Sequence, residues 1–196
     1  FILAAYYFEN FSSTFPTSPY REEIDFMSAY SNYQLSPSFR LDQKYTFEAI
    51  NELQLFVNTY PQSDRVAQAN ELMDELRLKL EEKAYDSGRL YSDMKQYQAA
   101  IQSFENLLKD FPETQKSEQV RYEIINAAFQ LAENSIVQKQ LERFEEAYER
   151  SEVFLKKYDD SRSGYWNEVK TINKKIEQTL SKIREDDRYK VKSTIN

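Results

Sequence analysis

The fold is decided by the stretch YQAAIQSFENLLKDFP at residues 97–112. Ala100, Phe104 and Leu107 stand at spacings of four and three, so they share one stripe of an α-helix. The pair Phe111-Pro112 ends that helix, because a residue that precedes proline is pushed out of the helical region. The stretch therefore predicts an amphipathic helix that buries this stripe and stops at an aromatic residue.

The same pattern occurs four times, at residues 8–16, 53–61, 104–112 and 151–159. Each segment has an aromatic residue near its end, followed by proline in the first three segments and by Asp159 in the fourth. The aromatic residues are Phe15, Tyr60, Phe111 and Tyr158; four positions before them stand Phe11, Phe56, Leu107 and Phe154; eleven positions before them stand Ala4, Ala49, Ala100 and Ala147. Hydroxyl side chains suited to capping the next helix follow at Ser18, Ser63, Thr114 and Ser161. Recurrence of all these features indicates a helical repeat.

The third segment, with the residues just before it, matches the tetratricopeptide pattern most fully. The matching positions are Gly88, Tyr91, Tyr97, Ala100, Phe104 and Pro112. Repeats of this kind are helix pairs that stack on their neighbours. The sequence therefore predicts an all-α fold, a tetratricopeptide-like superhelix of antiparallel helix pairs with a C-terminal capping helix.

We expect a single tetratricopeptide-like array over residues 1–196. Its parts are the second helix of a truncated first pair (1–19), a pair with an inserted loop at 34–43 (20–61), a pair with a long first helix (62–112), the last pair (113–159) and the capping helix (160–190). Helices are predicted at about 1–14, 20–34, 43–59, 64–91, 97–110, 116–138, 141–157 and 163–189. The long helix should bury Val66, Ala69, Leu72, Leu76, Leu80, Ala84 and Tyr91, and the capping helix Val169, Ile172, Ile176, Leu180 and Ile183.

The composition excludes most site chemistry. The chain has neither histidine nor cysteine and only two glycines, Gly88 and Gly164. Histidine is the most frequent general base, histidine and cysteine are the usual zinc ligands, and phosphate-binding loops need closely spaced glycines. We therefore expect no enzyme, no cofactor and no metal site. The net charge of −7 argues against nucleic acid as a partner. Acidic pairs such as Glu81-Glu82 are expected on solvated helix faces.

Several segments resemble the BamD family of outer-membrane protein assembly lipoproteins. They are Ser36-Pro37 with Asp42-Gln43, Thr59 to Ser63, Leu76-Arg77 with Lys79-Leu80 and Tyr85, Tyr97 to Ile101, and Phe111 to Thr114. The resemblance covers roughly residues 1–160, and the form of the loop resembles the versions of Bacteroidetes-type bacteria.

The resemblance implies a scaffold subunit of the barrel assembly machinery, or BAM complex, on the periplasmic face of the outer membrane. Implied partners are a BamA-like barrel protein, bound through a POTRA domain, unfolded outer-membrane proteins and other assembly-machine subunits. In the family, the N-terminal repeats recognise unfolded substrates and the C-terminal repeats bind the POTRA domain. The implied anchor is a lipidated N-terminal cysteine; because this chain has no cysteine and begins with Phe1, we expect the anchor to lie upstream or to have been removed.

The resemblance also suggests residues that bind partners. Arg77 and Lys79 resemble a basic position used in signalling to BamA; the alternative is that they only pair with Glu75 and Glu81. Weaker candidates for substrate contact are Phe39, Arg40 and Asp42 in the loop, and Tyr6 and Tyr7 near the N-terminus. Phe39 could instead pack inside the fold. The competing function is a stand-alone periplasmic tetratricopeptide adaptor or a cell-division coordinator lipoprotein, and an enzyme of unrecognised type is a third hypothesis.

Overall fold

The computed structural model describes residues 1–158 and 162–185. All regular secondary structure in these two ranges is α-helical, which confirms the predicted all-α class. The helices in the described ranges are α1 (Ile2–Thr14), α2 (Arg21–Leu35), α3 (Lys44–Thr59), α4 (Val66–Asp93), α5 (Tyr97–Asp110), α6 (Ser117–Glu133), α7 (Val137–Lys157) and α8 (Trp166–Glu185). The positions of Asp159 and Ser161 and the predicted end of the last helix lie outside the described residues.

The repeated aromatic residue ends its helix in the same way each time. Phe15, Tyr60 and Phe111 have φ of −124°, −124° and −126° and ψ of 64°, 61° and 69°. Each donates its backbone N–H to the carbonyl four residues earlier, at 2.8–2.9 Å. Tyr158, which no proline follows, makes the same hydrogen bond but has ψ of 142°. The proline therefore accompanies one particular backbone conformation at the helix end.

The hydroxyl residues that follow were expected to cap the next helix, but their hydrogen bonds lie in the turn that precedes it. The hydroxyl oxygens of Ser18, Ser63 and Thr114 each accept the backbone N–H two residues later, at 3.2, 3.2 and 3.0 Å. These bonds close the turn that leads into the helix. Before α8 the same bond is made by Ser163, to the N–H of Tyr165 at 3.2 Å.

The chain forms two compact units, and the boundary between them falls inside α4, after Lys83. In the first unit, the core is built on Phe26 of α2 and on Leu53 and Phe56 of α3, which pack with residues from the first half of α4. The rings of Phe26 and Phe56 meet edge to face, with centroids 5.4 Å apart. Aromatic pairs in this arrangement stabilise a core beyond the area that they bury.

The core of the second unit runs from Tyr85 through α5, α6 and α7 to α8. As predicted, α8 buries Val169, Ile172, Ile176, Leu180 and Ile183. Gly88 of α4 faces the ring of Phe104: a Cβ at Gly88 would lie 2.4 Å from Phe104 Cε1. The glycine at this repeat position therefore makes room for the buried phenylalanine.

Two details of the predicted helices are wrong. The expected buried stripe of α4 included Tyr91, which is 39% exposed, whereas Met73 of the same helix is buried. Helix α6 ends at Glu133 rather than 138, and α7 begins at Val137 rather than 141. At this junction the side chains of Asn134 and Ser135 bond to the carbonyls of residues 130 and 131. Such short polar side chains compete with the helical pattern for backbone groups, which explains the earlier break.

Candidate partner-binding site

The loop at residues 36–43 is held against α4 by two lysines. Lys79 donates from Nζ to Ser36 Oγ at 2.7 Å, and Lys83 donates to the carbonyls of Phe39 and Leu41 at 3.0 and 2.9 Å. Each hydrogen bond joins residues more than 40 positions apart in the sequence. A charged donor strengthens such bonds relative to neutral pairs. The loop is thus a fixed part of the first unit.

A buried polar network completes this attachment. Gln43 donates from Nε2 to the carbonyls of Ser38 and Leu41, both at 2.9 Å, and its Oε1 accepts from Thr46 Oγ1 at 2.7 Å. Ser36 Oγ lies 2.6 Å from Thr46 Oγ1. The hydroxyl of Thr46 donates its hydrogen to Gln43, so it can only accept from Ser36. Ser36 therefore donates to Thr46 and accepts from Lys79. Every member of the network therefore has a consistent donor and acceptor, as a buried polar group requires.

Arg77 and Lys79 occupy different environments. Arg77 is exposed, and its Nη1 lies 3.9 Å from Asp74 Oδ1, so its ion pair is with Asp74. Lys79 is half-buried, and burial lowers the pKa of its ammonium group, whereas the charge of Glu75 acts in the opposite direction. Glu81 is only 8% exposed, so the expectation that it lies on a solvated face was wrong. Of the two predicted basic residues, Arg77 is the one that a partner could reach.

Glu75 accepts a hydrogen bond from the hydroxyl of Tyr33 at 2.5 Å. This bond, with burial and the charge of Glu75, raises the pKa of Tyr33 to about 12. Lys79 and Glu75, which were expected to pair, interact through their charges. The hydrogen bonds of Lys79 go instead to Ser36 in the loop. Lys79 positions the loop rather than presenting its charge to solvent.

The loop candidates differ in what they expose. Phe39 is half-buried, and the guanidinium carbon of Arg40 lies 5.4 Å from its ring centroid. Asp42 is exposed, and its Oδ1 accepts the backbone N–H of Lys44 at 3.0 Å, where α3 begins. Arg40 and the neighbouring Leu41 form the outward surface of the loop.

Tyr6 and Tyr7 are 59% and 65% exposed on α1, and their ring centroids lie 5.6 Å apart. Phe1, Ile2 and Leu3 before them are exposed as well. No residue of α1 is fully buried. The structure therefore places these two tyrosines on an accessible helix with an exposed apolar surface.

Sequence reasoning missed a groove that α1, α2 and α3 form in the first unit, with a volume of about 380 Å³. Its charged and polar lining includes Glu9, Ser12, Arg21, Asp25, Glu52 and Tyr60; we call it the acidic groove. Burial raises the pKa of Glu52, and the nearby charge of Glu9 adds to this shift. Asp25 Oδ2 accepts a hydrogen bond from the hydroxyl of Tyr60, with the two oxygens 2.7 Å apart. Only the clustering of three acids at repeat-related positions could have suggested this groove from the sequence.

The comparisons with known proteins concern the family. The family model described as outer membrane lipoprotein (YfiO) matches residues 1–118 and, in a second and overlapping match, residues 81–158. A search of curated proteins found no match to the chain. Within residues 1–158 and 162–185, no helix combines the length and the apolar character needed to cross a membrane.

Proposed function

This chain belongs to the YfiO family of outer membrane lipoproteins, and we propose that it is a non-catalytic scaffold subunit of the barrel assembly machinery. In this role it binds the POTRA region of a BamA-like protein and helps to fold β-barrel proteins and insert them into the outer membrane. Its place is the periplasmic face of that membrane, where a lipid holds it. The family match and the BamD resemblance over roughly residues 1–160 support the proposal. The Bacteroidetes-type form of the loop stays a prediction.

The observation that carries the proposal is the fixed loop on α4. A surface that is ordered before binding loses less conformational entropy when a partner docks. The two lysines and the buried Gln43 provide that order. Arg40 and Leu41 are then presented by a defined backbone rather than by a mobile segment. This is the property that a subunit needs if it holds other proteins without changing them chemically.

Arg77 and Lys79 have separate roles in this proposal. Arg77, exposed on α4 and 3.9 Å from Asp74, contacts the BamA-like partner. An ion pair of this length at the surface contributes little to stability, so its charge can be used for binding. Lys79 acts through the loop that it holds, and it is a positioning residue.

Unfolded clients are bound by the first unit. Tyr6 and Tyr7 offer large, exposed aromatic surfaces, and the acidic groove provides hydrogen-bond acceptors in the same unit. Extended β-strand segments are recognised by such a combination of apolar contacts and polar pairs. The binding energy would come from many weak contacts, which suits a subunit that must release its clients.

Affinity purification of the native protein from solubilised outer membranes tests this function. We expect a POTRA-containing barrel protein among the co-purified partners and a clear loss of it in Arg77→Glu. Lys44→Glu is the matched control, because Lys44 is also exposed in the first unit and forms an ion pair with Glu48 at 3.6 Å. Recovery of division-site proteins without any such barrel would support the adaptor or cell-division alternative and reject the proposal.

A further inference from the structure

A second groove lies in the other unit, between α5, α6 and α7, and its volume of about 600 Å³ exceeds that of the acidic groove. Its apolar floor consists of Leu108, Ile124, Ile125 and Phe154. Val153, which is 56% exposed, stands on the α7 side. We call it the arginine groove, after Arg121 and Arg150, which line it.

The two arginines differ in their partners. Arg150 donates from Nη1 to Glu105 Oε1 at 2.6 Å, an ion pair that links α7 to α5. Arg121, on α6 beneath them, has a fully buried Nε that finds no hydrogen-bond partner among the residues the structure describes. The side chain as a whole is half-buried and lines the groove, so the charge of its guanidinium is presented to a ligand there.

The charges of the groove are sorted along its length. Lys109 stands at the end of α5, Arg121 near the start of α6 and Lys157 at the end of α7. Consecutive antiparallel helices bring these three positions to the same end. Glu146 lies eleven residues before Lys157 on α7, which is about 16 Å along a helix. The groove thus has a basic end and an acidic end, with Val153 between them.

The two grooves occupy the same place in the repeat, but key charges are reversed. Counting from the repeated hydroxyl residue, Asp25 of the acidic groove takes the position of Arg121. Counting back from the repeated aromatic residue, Glu52 takes the position of Arg150. Glu9 and Glu105 also occupy equivalent positions, and there the charge is the same. At the positions of Asp25 and Glu52 the two grooves therefore carry side chains of opposite charge.

We propose that the arginine groove is a docking site for an extended segment of a partner protein that carries an acidic side chain. The carboxylate pairs with Arg121 at the basic end, and an apolar side chain about two residues away packs against Val153 and the floor. About five extended residues span the 16 Å between the two ends. The charge sorting of the groove and the half-buried Arg121 at its basic end argue for this occupant. The proposal does not depend on the barrel-assembly role.

The test is an NMR titration of the full-length, isotope-labelled chain with synthetic peptides. The probes are five-residue peptides with blocked termini that carry aspartate at one end, leucine in the centre and lysine at the other end, in both chain directions. We expect saturable shifts of residues in the arginine groove at millimolar peptide. Replacing the aspartate by asparagine should weaken binding about tenfold, because the charge-assisted pair with Arg121 is lost.

Two variants make the test specific. Arg121→Gln should weaken binding of the aspartate peptide about tenfold and leave binding of the asparagine peptide unchanged. Val153→Glu alters only an exposed position, so it is expected to fold, and its added carboxylate should repel the aspartate. The matched control is Leu55→Glu, the same repeat position in the other groove and 66% exposed, which should bind the peptide normally. Equal binding of both peptides, unchanged binding in Arg121→Gln and Val153→Glu, or no saturable shift would each overturn the proposal.

Discussion

Replacing Gly88 with alanine tests a close contact between α4 and α5 in the second unit. The new Cβ would lie 2.4, 2.6 and 2.8 Å from three atoms of the Phe104 ring, whereas ordinary contacts begin at 3.4 Å. The ring would need to move by about 1 Å, but it is fully buried and lies beside Tyr85, with centroids 5.9 Å apart. Overpacking of this kind costs about 1–3 kcal/mol, and we expect the upper end here.

Alanine also favours the helix by about 1 kcal/mol relative to glycine. The clash is the larger effect, so we expect the free energy of unfolding to fall by about 2 kcal/mol. For a chain of this size, that lowers Tm by roughly 4–8 °C. Urea unfolding followed by circular dichroism measures the change.

Gly164→Ala is the control, because a Cβ at Gly164 has no heavy atom within 4 Å; its stability should stay within about 0.5 kcal/mol of wild type. In a double-mutant cycle, Phe104→Leu should reduce the penalty of Gly88→Ala, because it removes the clashing ring. A Gly88→Ala variant as stable as wild type, or more stable, would refute the reasoning.

Three further outcomes follow from the first unit. Lys83→Met should lower stability by about 1–2 kcal/mol and speed hydrogen exchange at residues 39–43, because the loop carbonyls lose a charged donor, whereas Lys44→Met should change neither. Tyr60→Phe should cost about 1 kcal/mol at neutral pH. Burial and the hydrogen bond to Asp25 raise the pKa of Tyr60 to about 12. The protonated hydroxyl therefore stabilises the folded state below pH 10, the usual pKa of tyrosine, and this stabilisation is lost between pH 10 and 12. Urea unfolding should accordingly show a smaller loss of stability at alkaline pH in Tyr60→Phe than in wild type. Burial raises the pKa of Glu52 above its usual 4.5, so ionisation of Glu52 destabilises the fold as the pH rises. Glu52→Gln should therefore be more stable than wild type at neutral pH and should lose this advantage in acid. Urea unfolding at both pH values measures the difference.

Most of the fold was predictable because it rests on local periodicity. The stripe of Ala100, Phe104 and Leu107, and the aromatic residue that ends each helix, are set by spacings within one helix. The exposed Tyr91 and the early break at Asn134 were missed for different reasons. Periodicity shows which residues share a face, but it does not show how much of that face a neighbouring helix covers, so it placed Tyr91 in the core. The break depends on hydrogen bonds from the side chains of Asn134 and Ser135 to backbone carbonyls, and periodicity does not reveal these either.

The candidate site was less predictable because its contacts are distant in the sequence. The resemblance selected Arg77 and Lys79 together, yet only the three-dimensional structure shows that Lys79 bonds to Ser36, 43 positions away. Lys83, which makes equivalent bonds, had no local signal. An alignment of the repeats reveals the reversed charges of Asp25 and Arg121. Only the three-dimensional structure shows that both side chains line grooves.

The most direct test of the scaffold function is photo-crosslinking from position 74 in intact cells. A photoreactive phenylalanine analogue replaces the exposed Asp74, which lies 3.9 Å from Arg77, so that Arg77 itself is kept; the same analogue at the exposed Lys44 serves as the control. We predict an adduct between position 74 and a POTRA-containing barrel protein of the outer membrane, and none from position 44. An adduct only with proteins outside that class, or no adduct while the protein is normally localised, would contradict the proposed function.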